Sequence, residues 1–165
     1  MSNSLLEFPP LGKVRRVHGL EHATIHILSR RVRDVSFSGL SIPYGFWLVG
    51  SVEPEEVSYA ANEALHRLQA GEGTLAVHPR CGTNLAVAGL LTGVTSLFAG
   101  FSFDPKEHWL EKLPRVIAAA TIAMIFAGPI GFAVQENITT SPDATALSLG
   151  KITRLNPTLY FVEVH

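Results

Sequence analysis

The sequence predicts an α+β protein in which a small mixed domain, with an N-terminal histidine-bearing helix and short antiparallel strands, is joined to a two-helix transmembrane hairpin. The first observation is a pair of apolar segments, residues 85–103 and 116–135, that contain no Asp, Glu, Lys or Arg. As helices, each would span about 30 Å, the thickness of a bilayer core. The second observation is that helical periodicity and short strand-like runs alternate in the remaining, more polar sequence.

The composition excludes several classes of protein. Charged residues make up 16% of the 165 residues and hydrophobic residues 47%, which is incompatible with a disordered chain. Thirteen basic and fourteen acidic residues give a formal net charge of −1. Since there is no basic excess to neutralise phosphates, we expect no nucleic-acid partner. The single cysteine, Cys81, excludes an internal disulfide framework.

The first 31 residues predict a helix that follows a loose arm. The arm, residues 1–10, ends in two prolines. Between Lys13 and Arg31 there is no proline, and apolar residues such as Val17 and Leu20 recur at helical spacing. Gly19 interrupts this pattern and lowers its helix propensity.

The next segment predicts a strand hairpin, a second helix and a short third strand. Residues 34–52 are rich in Val, Phe, Ile and Trp, and glycine and proline divide them into two strands. Pro54 and the acidic residues after it are typical of a helix start, and this helix should end at Gly71. Leu75 and Val77 predict a short strand.

The two apolar segments predict a transmembrane hairpin over residues 84–135, with a link of mixed charge at residues 104–115. The Gly128-Pro129 step predicts a kink or an end in the second helix. The G-x-x-x-G at residues 89–93 has the spacing of closely packed membrane helices, which favours a tight hairpin or a homodimer.

The last segment, residues 136–165, predicts a turn-rich loop and two strands that pack on the polar domain, residues 1–83. Two spans place both ends of the sequence on one side of the cell membrane. The basic residues of the N-terminal part favour the cytoplasmic side for these ends. Lys112 and Arg115 in the link favour the opposite orientation.

The most specific motif is H-x-x-E-H, formed by His18, Glu21 and His22. Histidines four residues apart share one face of a helix, so both imidazoles can reach one metal ion. Glu21 lies about 60° around the helix from His18 and can act as a general base on a water molecule. Zinc peptidases of the inverted type use this order of residues.

A second motif supplies further candidate ligands. His78 and Cys81 are separated by two residues, as in a metal-binding knuckle. Arg80 between them could either favour the thiolate or bind an anionic substrate. Three of the seven histidines and the only cysteine fall in these two motifs, and a fourth histidine, His26, lies one turn beyond His22 as the least secure member of the cluster. We therefore expect one site for zinc or another divalent transition metal. The predicted ligands are His18, His22, His78 and Cys81.

The pairing of H-G-x-E-H with a downstream H-P-R-C-G-T, followed at once by apolar spans, resembles the YqhQ-like family of bacterial membrane proteins, or an uncharacterised relative of it. The resemblance implies a metal-dependent membrane protein and implies no particular substrate. Ala23 stands where that family usually has Lys, and Asn84 where it commonly has Ser. The matching residues are His18, Gly19, Glu21, His22, His78, Pro79, Arg80, Cys81, Gly82 and Thr83.

Two functions fit these expectations. The first is a membrane-anchored, metal-dependent enzyme, most simply a zinc hydrolase. In it, His18 and His22 bind zinc with His78 or Cys81, water takes the fourth position, and Glu21 is the general base. Its substrate is a membrane protein or an amphiphile near the lipid surface. The second is a non-catalytic membrane protein whose four ligands close a structural site and which acts in the assembly or scaffolding of a membrane complex. An open coordination position distinguishes the two. A hydrogen-bonded polar cluster without metal is a third interpretation.

Overall fold

A computed structural model describes residues 6–101 and 107–165 and confirms the α+β fold class. The chain divides into two compact units. The polar unit comprises the described residues up to His78 together with Glu136–His165, and the helical unit comprises those of Pro79–Gln135. The elements are α1 (Pro9–Arg31), β1 (Ser38–Ile42), β2 (Gly45–Val49), α2 (Pro54–Gln69), a 3-10 helix (Gly73–Ala76), α3 (Gly82–Gly100), α4 (Trp109–Val134), a π-helix (Gln135–Thr139), β3 (Leu149–Asn156) and β4 (Leu159–Val164).

Helix α1 begins earlier than predicted. Of the predicted loose arm, residues 1–5 lie outside the described residues, while Pro9 and Pro10 already belong to the first helical turn. Proline is well tolerated there because the first N–H groups of a helix have no intrahelical partner. The Phe8 carbonyl accepts hydrogen bonds from the N–H groups of Leu11 and Gly12, which closes this turn.

The sheet is antiparallel, with strand order β1-β2-β4-β3. The predicted hairpin is formed by β1 and β2. Strand β4 pairs with β2, so that Phe46 lies opposite Val162 and Leu48 opposite Tyr160. The C-terminal strands therefore complete a sheet that the hairpin begins, and all four of these side chains are fully buried.

The core of the polar unit lies between α1, α2 and one face of the sheet. Each large apolar side chain that is buried here contributes roughly 1.5–3 kcal/mol. The fully buried apolar residues include Val17, Leu20, Leu28, Phe46, Leu48, Val57, Tyr160 and Val162.

The strand predicted around Leu75 and Val77 is wrong, because residues Gly73–Ala76 form a 3-10 helix. The chain reaches it through Gly71, whose φ of +94° is in the region that favours glycine. Leu75 and Ala76 are buried, so a single tight turn satisfies the apolar pattern that the sequence presents.

The helical unit consists of α3 and α4, which are both long and apolar enough to cross a membrane. A Cβ atom on Gly131 would lie 2.6 Å from the side-chain oxygen of Asn84, so the end of α4 packs closely on the start of α3. Gln135 donates a hydrogen bond of 2.6 Å to the same oxygen. Ala123 and Ala127 are also buried, whereas α3 contains no buried residue.

Two expectations for this unit are corrected. Helix α4 begins at Trp109, inside the predicted link, and continues past Pro129 to Val134. Proline is tolerated in apolar helices where neighbouring groups compensate the lost hydrogen bond. Among the described residues, nothing lies within 4 Å of a Cβ built on Gly89 or Gly93, so these two glycines do not pack against α4. The homodimer stays a prediction.

Replacing Tyr160 with Phe should destabilise the polar unit by about 1–2 kcal/mol. The buried Tyr160 hydroxyl donates a hydrogen bond to the Val52 carbonyl, which would lose its partner. Chemical denaturation of the purified protein in detergent measures the free energy of unfolding. Tyr44→Phe is the control, since Tyr44 is 73% exposed. Equal stability of the two variants would contradict the prediction.

Candidate metal centre

Helix α1 presents three histidines along one side, and a fourth reaches them from the segment after the 3-10 helix. The ring centroids of His18 and His22 are 4.3 Å apart. The ring of His78 lies 5.8 Å from that of His22 and 4.8 Å from that of His26. Four imidazoles thus form a continuous row within the polar unit, in the order His18, His22, His78, His26.

His22 is the most deeply buried of the α1 histidines, with an exposed fraction of 2%. Its Nδ1 lies 2.8 Å from the Ala76 carbonyl oxygen. Because a carbonyl can only accept, Nδ1 carries the proton and donates it. In the neutral ring, Nε2 then holds the lone pair, and this is the arrangement of histidines that bind metals in proteins.

His18 follows the same pattern with a different partner. Its Nδ1 lies 3.0 Å from the Thr139 carbonyl oxygen, at the end of the π-helix. The same argument assigns the proton to Nδ1 and the lone pair to Nε2. The two histidines of the H-x-x-E-H motif are therefore oriented by backbone carbonyls from two segments that are remote in the sequence.

His26 differs from both. Its Nε2 lies 2.9 Å from the Val77 carbonyl oxygen, so this nitrogen is the donor and Nδ1 holds the lone pair. The ring faces that of His78 rather than that of His18. The sequence left His26 as the least secure member of the cluster, and its tautomer sets it apart from the other two α1 histidines.

Cys81, the predicted thiolate ligand, belongs to the helical unit. It is buried and precedes α3, where its sulfur accepts a hydrogen bond from the Thr83 N–H at 3.4 Å. Imidazole nitrogens and a thiolate are ligands that zinc prefers, so the chemistry of His18, His22 and Cys81 suits such an ion. His78, the fourth predicted ligand, lies in the row of imidazole rings of the polar unit.

Glu21 is 3% exposed and its carboxylate lies against β1. Ser41 donates a hydrogen bond of 2.5 Å to Oε2. A Cβ on Gly39 would lie only 2.3 Å from Oε1, so β1 approaches the carboxylate closely at this glycine. The predicted general base is therefore held by a strand of the polar unit.

The sequence analysis missed Arg15 and the segment Asn137–Ser141, which adjoin His18. The buried guanidinium of Arg15 donates hydrogen bonds to the carbonyls of Asn137 and Thr140. A Cβ on Gly19 would lie 2.3 Å from the Ser141 carbonyl oxygen. A glycine inside a helix leaves room for such a close approach because it has no Cβ, but the sequence alone shows only its low helix propensity.

The chain just beyond this segment carries one perturbed carboxyl group. Hydrogen bonds from the Thr145 hydroxyl and backbone N–H lower the pKa of Asp143, and the nearby Arg16 guanidinium acts in the same direction. The Asp143 carboxylate is therefore ionised at neutral pH, and its Oδ2 lies 3.6 Å from Nε of Arg16.

Comparison with known proteins assigns the chain to a family. Residues 13–152 match the family described as a domain of unknown function (DUF6391). The chain belongs to the DUF6391 family. The match extends from α1 into β3 and includes both histidine motifs.

One relative of this DUF6391 protein is an uncharacterised protein of Picosynechococcus sp., which is 35% identical over 137 residues. The alignment covers 78% of this chain and 66% of the relative, so the chain spans just under two thirds of the relative's length. No solved structure matches the chain. The family description and the relative name no substrate or cofactor.

Gly39→Ala should displace the Glu21 carboxylate and destabilise the protein by about 1–3 kcal/mol, because the added methyl group overlaps its oxygen. The free energy of unfolding in detergent is the measurement. Gly82→Ala is the matched control, since its Cβ would meet nothing within 4 Å. If both variants retain the stability of the unmodified protein, the close approach of β1 to Glu21 is refuted.

Proposed function

We propose that this DUF6391 protein is a membrane-anchored, metal-dependent enzyme, most simply a zinc hydrolase that acts near the membrane surface. The observation that carries the proposal is the paired orientation of His18 and His22. Each donates its Nδ1 proton to a backbone carbonyl, which leaves Nε2 as the ligand atom. A hydrogen-bonded polar cluster without metal would not require the same tautomer in both rings.

The proposed ligands are His18, His22, His78 and Cys81. In the enzyme, His18 and His22 would bind through Nε2, His78 or Cys81 would be the third ligand, and water would take the fourth position. The sulfur of Cys81 already accepts a hydrogen bond from the Thr83 N–H. A zinc ion held in this way supplies Lewis acidity and activates water.

Glu21 is the proposed general base. Its burial and its hydrogen bond from Ser41 fix the carboxylate, so the group would not need to reorganise when it takes a proton. One oxygen is engaged by Ser41, and the carboxylate as a whole is oriented by β1 rather than by a mobile loop.

A structural metal site is the second candidate, because His22 and Cys81 are buried. In that case His78 would complete a closed tetrahedron, and the protein would act in the assembly of a membrane complex. The open coordination position of a catalytic site separates the two functions.

Insertion into the cell membrane is part of the proposal. Helices α3 and α4 have the length and composition of membrane spans, and their exposed faces carry large apolar side chains. We propose that both ends of the sequence lie in the cytoplasm, that lipid surrounds α3 and α4, and that the substrate is a membrane protein or an amphiphile. The resemblance to the YqhQ-like family supports a metal-dependent membrane protein and adds no reaction.

Purified wild-type protein should contain one zinc ion or a comparable divalent ion per chain, measured by elemental analysis. His22→Ala and Cys81→Ala should lose it, because each removes a proposed ligand. Glu21→Gln should retain it, since Glu21 is not a ligand. His66→Ala is the control, as His66 lies exposed on α2. Wild-type protein without stoichiometric metal would refute both metal functions.

Cobalt substitution should distinguish the enzyme from the structural site. In the enzyme, added azide should alter the absorption spectrum of the Co²⁺ protein, because an open position can take an exogenous ligand. An unchanged spectrum at saturating azide would favour the closed structural site over the hydrolase. Adding azide to the Co²⁺ form of Glu21→Gln is the control, because it shows whether the spectral change depends on Glu21 rather than on an open coordination position.

Membrane insertion predicts that the protein stays in the membrane fraction after extraction with alkaline carbonate. A fluorescent-protein fusion at the C-terminal end should be bright and an alkaline phosphatase fusion inactive, because that end is proposed to lie in the cytoplasm. An active phosphatase fusion would show that this end lies on the opposite side of the membrane. Release of the protein by carbonate would refute the proposal that α3 and α4 span the membrane.

A further inference from the structure

We propose that Arg15 is a positioning residue of the metal centre: it holds residues 137–141 against α1, and the Thr139 carbonyl thereby fixes the tautomer and the orientation of His18. This inference rests on the proposed metal site for its functional meaning. Its structural part, the tautomer of His18, can be tested without a metal.

Arg15 lies one helical turn before His18, so the two side chains share a face of α1. Its Nη2 donates to the carbonyls of Asn137, at 3.3 Å, and of Thr140, at 3.1 Å. These carbonyls belong to residues on either side of Thr139. One guanidinium therefore fixes the backbone on both sides of the carbonyl that accepts the proton of His18.

The end of the π-helix explains why a cation is placed here. The last carbonyls of a helix have no intrahelical partner and carry a partial negative charge. The π-helix ends at Thr139, and Arg15 and His18 supply N–H donors to the carbonyls at this end. Arg15 is 8% exposed, and Glu7, 3.0 Å from Nη1, balances the charge of the buried guanidinium.

Two further contacts hold the same segment in register along α1. The Ser141 N–H donates to the Arg15 carbonyl at 3.0 Å. At Gly19 the helix has no side chain, and the Ser141 carbonyl occupies the space that a Cβ would need. The segment thus follows α1 from Arg15 past His18 to Gly19, and the Thr139 carbonyl faces the ring of His18 between these two contacts.

The chain offers a matched control in the neighbouring residue. Arg16 donates to the same carboxylate, that of Glu7, at 2.6 Å. Among the hydrogen bonds of the described residues, Arg16 donates to none of the carbonyls of residues 137–141. Arg16→Met therefore removes the same charge, together with the ion pairs to Glu7 and Asp143, while the hydrogen bonds from Arg15 to residues 137–141 remain.

The experiment compares Arg15→Met with Arg16→Met in the full-length protein in detergent. In the metal-free protein, ¹⁵N NMR of the histidine rings should show His18 as the Nδ1–H tautomer in wild type and in Arg16→Met. In Arg15→Met this preference should be lost. Zinc affinity, measured by competition with a chelator, should fall about 10–100-fold in Arg15→Met and stay unchanged in Arg16→Met.

Each outcome decides a separate question. Wild-type protein that binds no zinc refutes the proposed function, while the tautomer of His18 still tests the role of Arg15. An unchanged His18 tautomer in Arg15→Met overturns the inference, whatever the metal content. If Arg15→Met does not fold, Arg15→Lys replaces it, because the lysine side chain keeps the charge but ends one atom short of Nη2, the nitrogen that donates to both carbonyls. Wild-type tautomer and affinity in Arg15→Lys would then overturn the inference.

Discussion

The candidate site depends on two hydrogen bonds from histidine side chains to backbone carbonyls. His22 donates to Ala76 and His18 to Thr139, partners that lie 54 and 121 residues away in the sequence. Each bond places the proton on Nδ1, leaves the lone pair on Nε2 and fixes a remote segment on α1. The 3-10 helix and the end of the π-helix are therefore parts of the site, although neither contributes a side chain to the proposed ligand set.

Glycine determines how closely these segments can approach. At Gly19 the Ser141 carbonyl takes the place of a side chain, and at Gly39 the carboxylate of Glu21 does so. In the sequence, Gly19 counts only as a loss of helix propensity. In the fold, the missing side chain of Gly19 is an advantage. It lets residues 137–141 lie directly on α1, the helix that carries His18 and His22.

The parts of the site that follow from local geometry could be predicted, and the parts that depend on tertiary contacts could not. Helical periodicity places His18 and His22 on one face of α1 whatever the rest of the fold. The groups that accept from the two histidines are the backbone carbonyls of Ala76 and Thr139. Every residue type has such a carbonyl, so no sequence motif identifies them. The same limit explains the strand wrongly predicted at Leu75, where burial against α1 requires only one apolar turn.

The histidines of the polar unit differ in how far they are removed from solvent. His22 and Glu21 are almost completely buried, one against the 3-10 helix and the other against β1. His18, His26 and His78 are half-buried. The orientation of the His18 ring decides where its Nε2 lone pair points, and therefore whether this nitrogen could bind a metal ion. Since the Thr139 carbonyl accepts the proton of this ring and Arg15 donates to the carbonyls on either side of Thr139, a metal site at His18, catalytic or structural, would depend on residues 137–141.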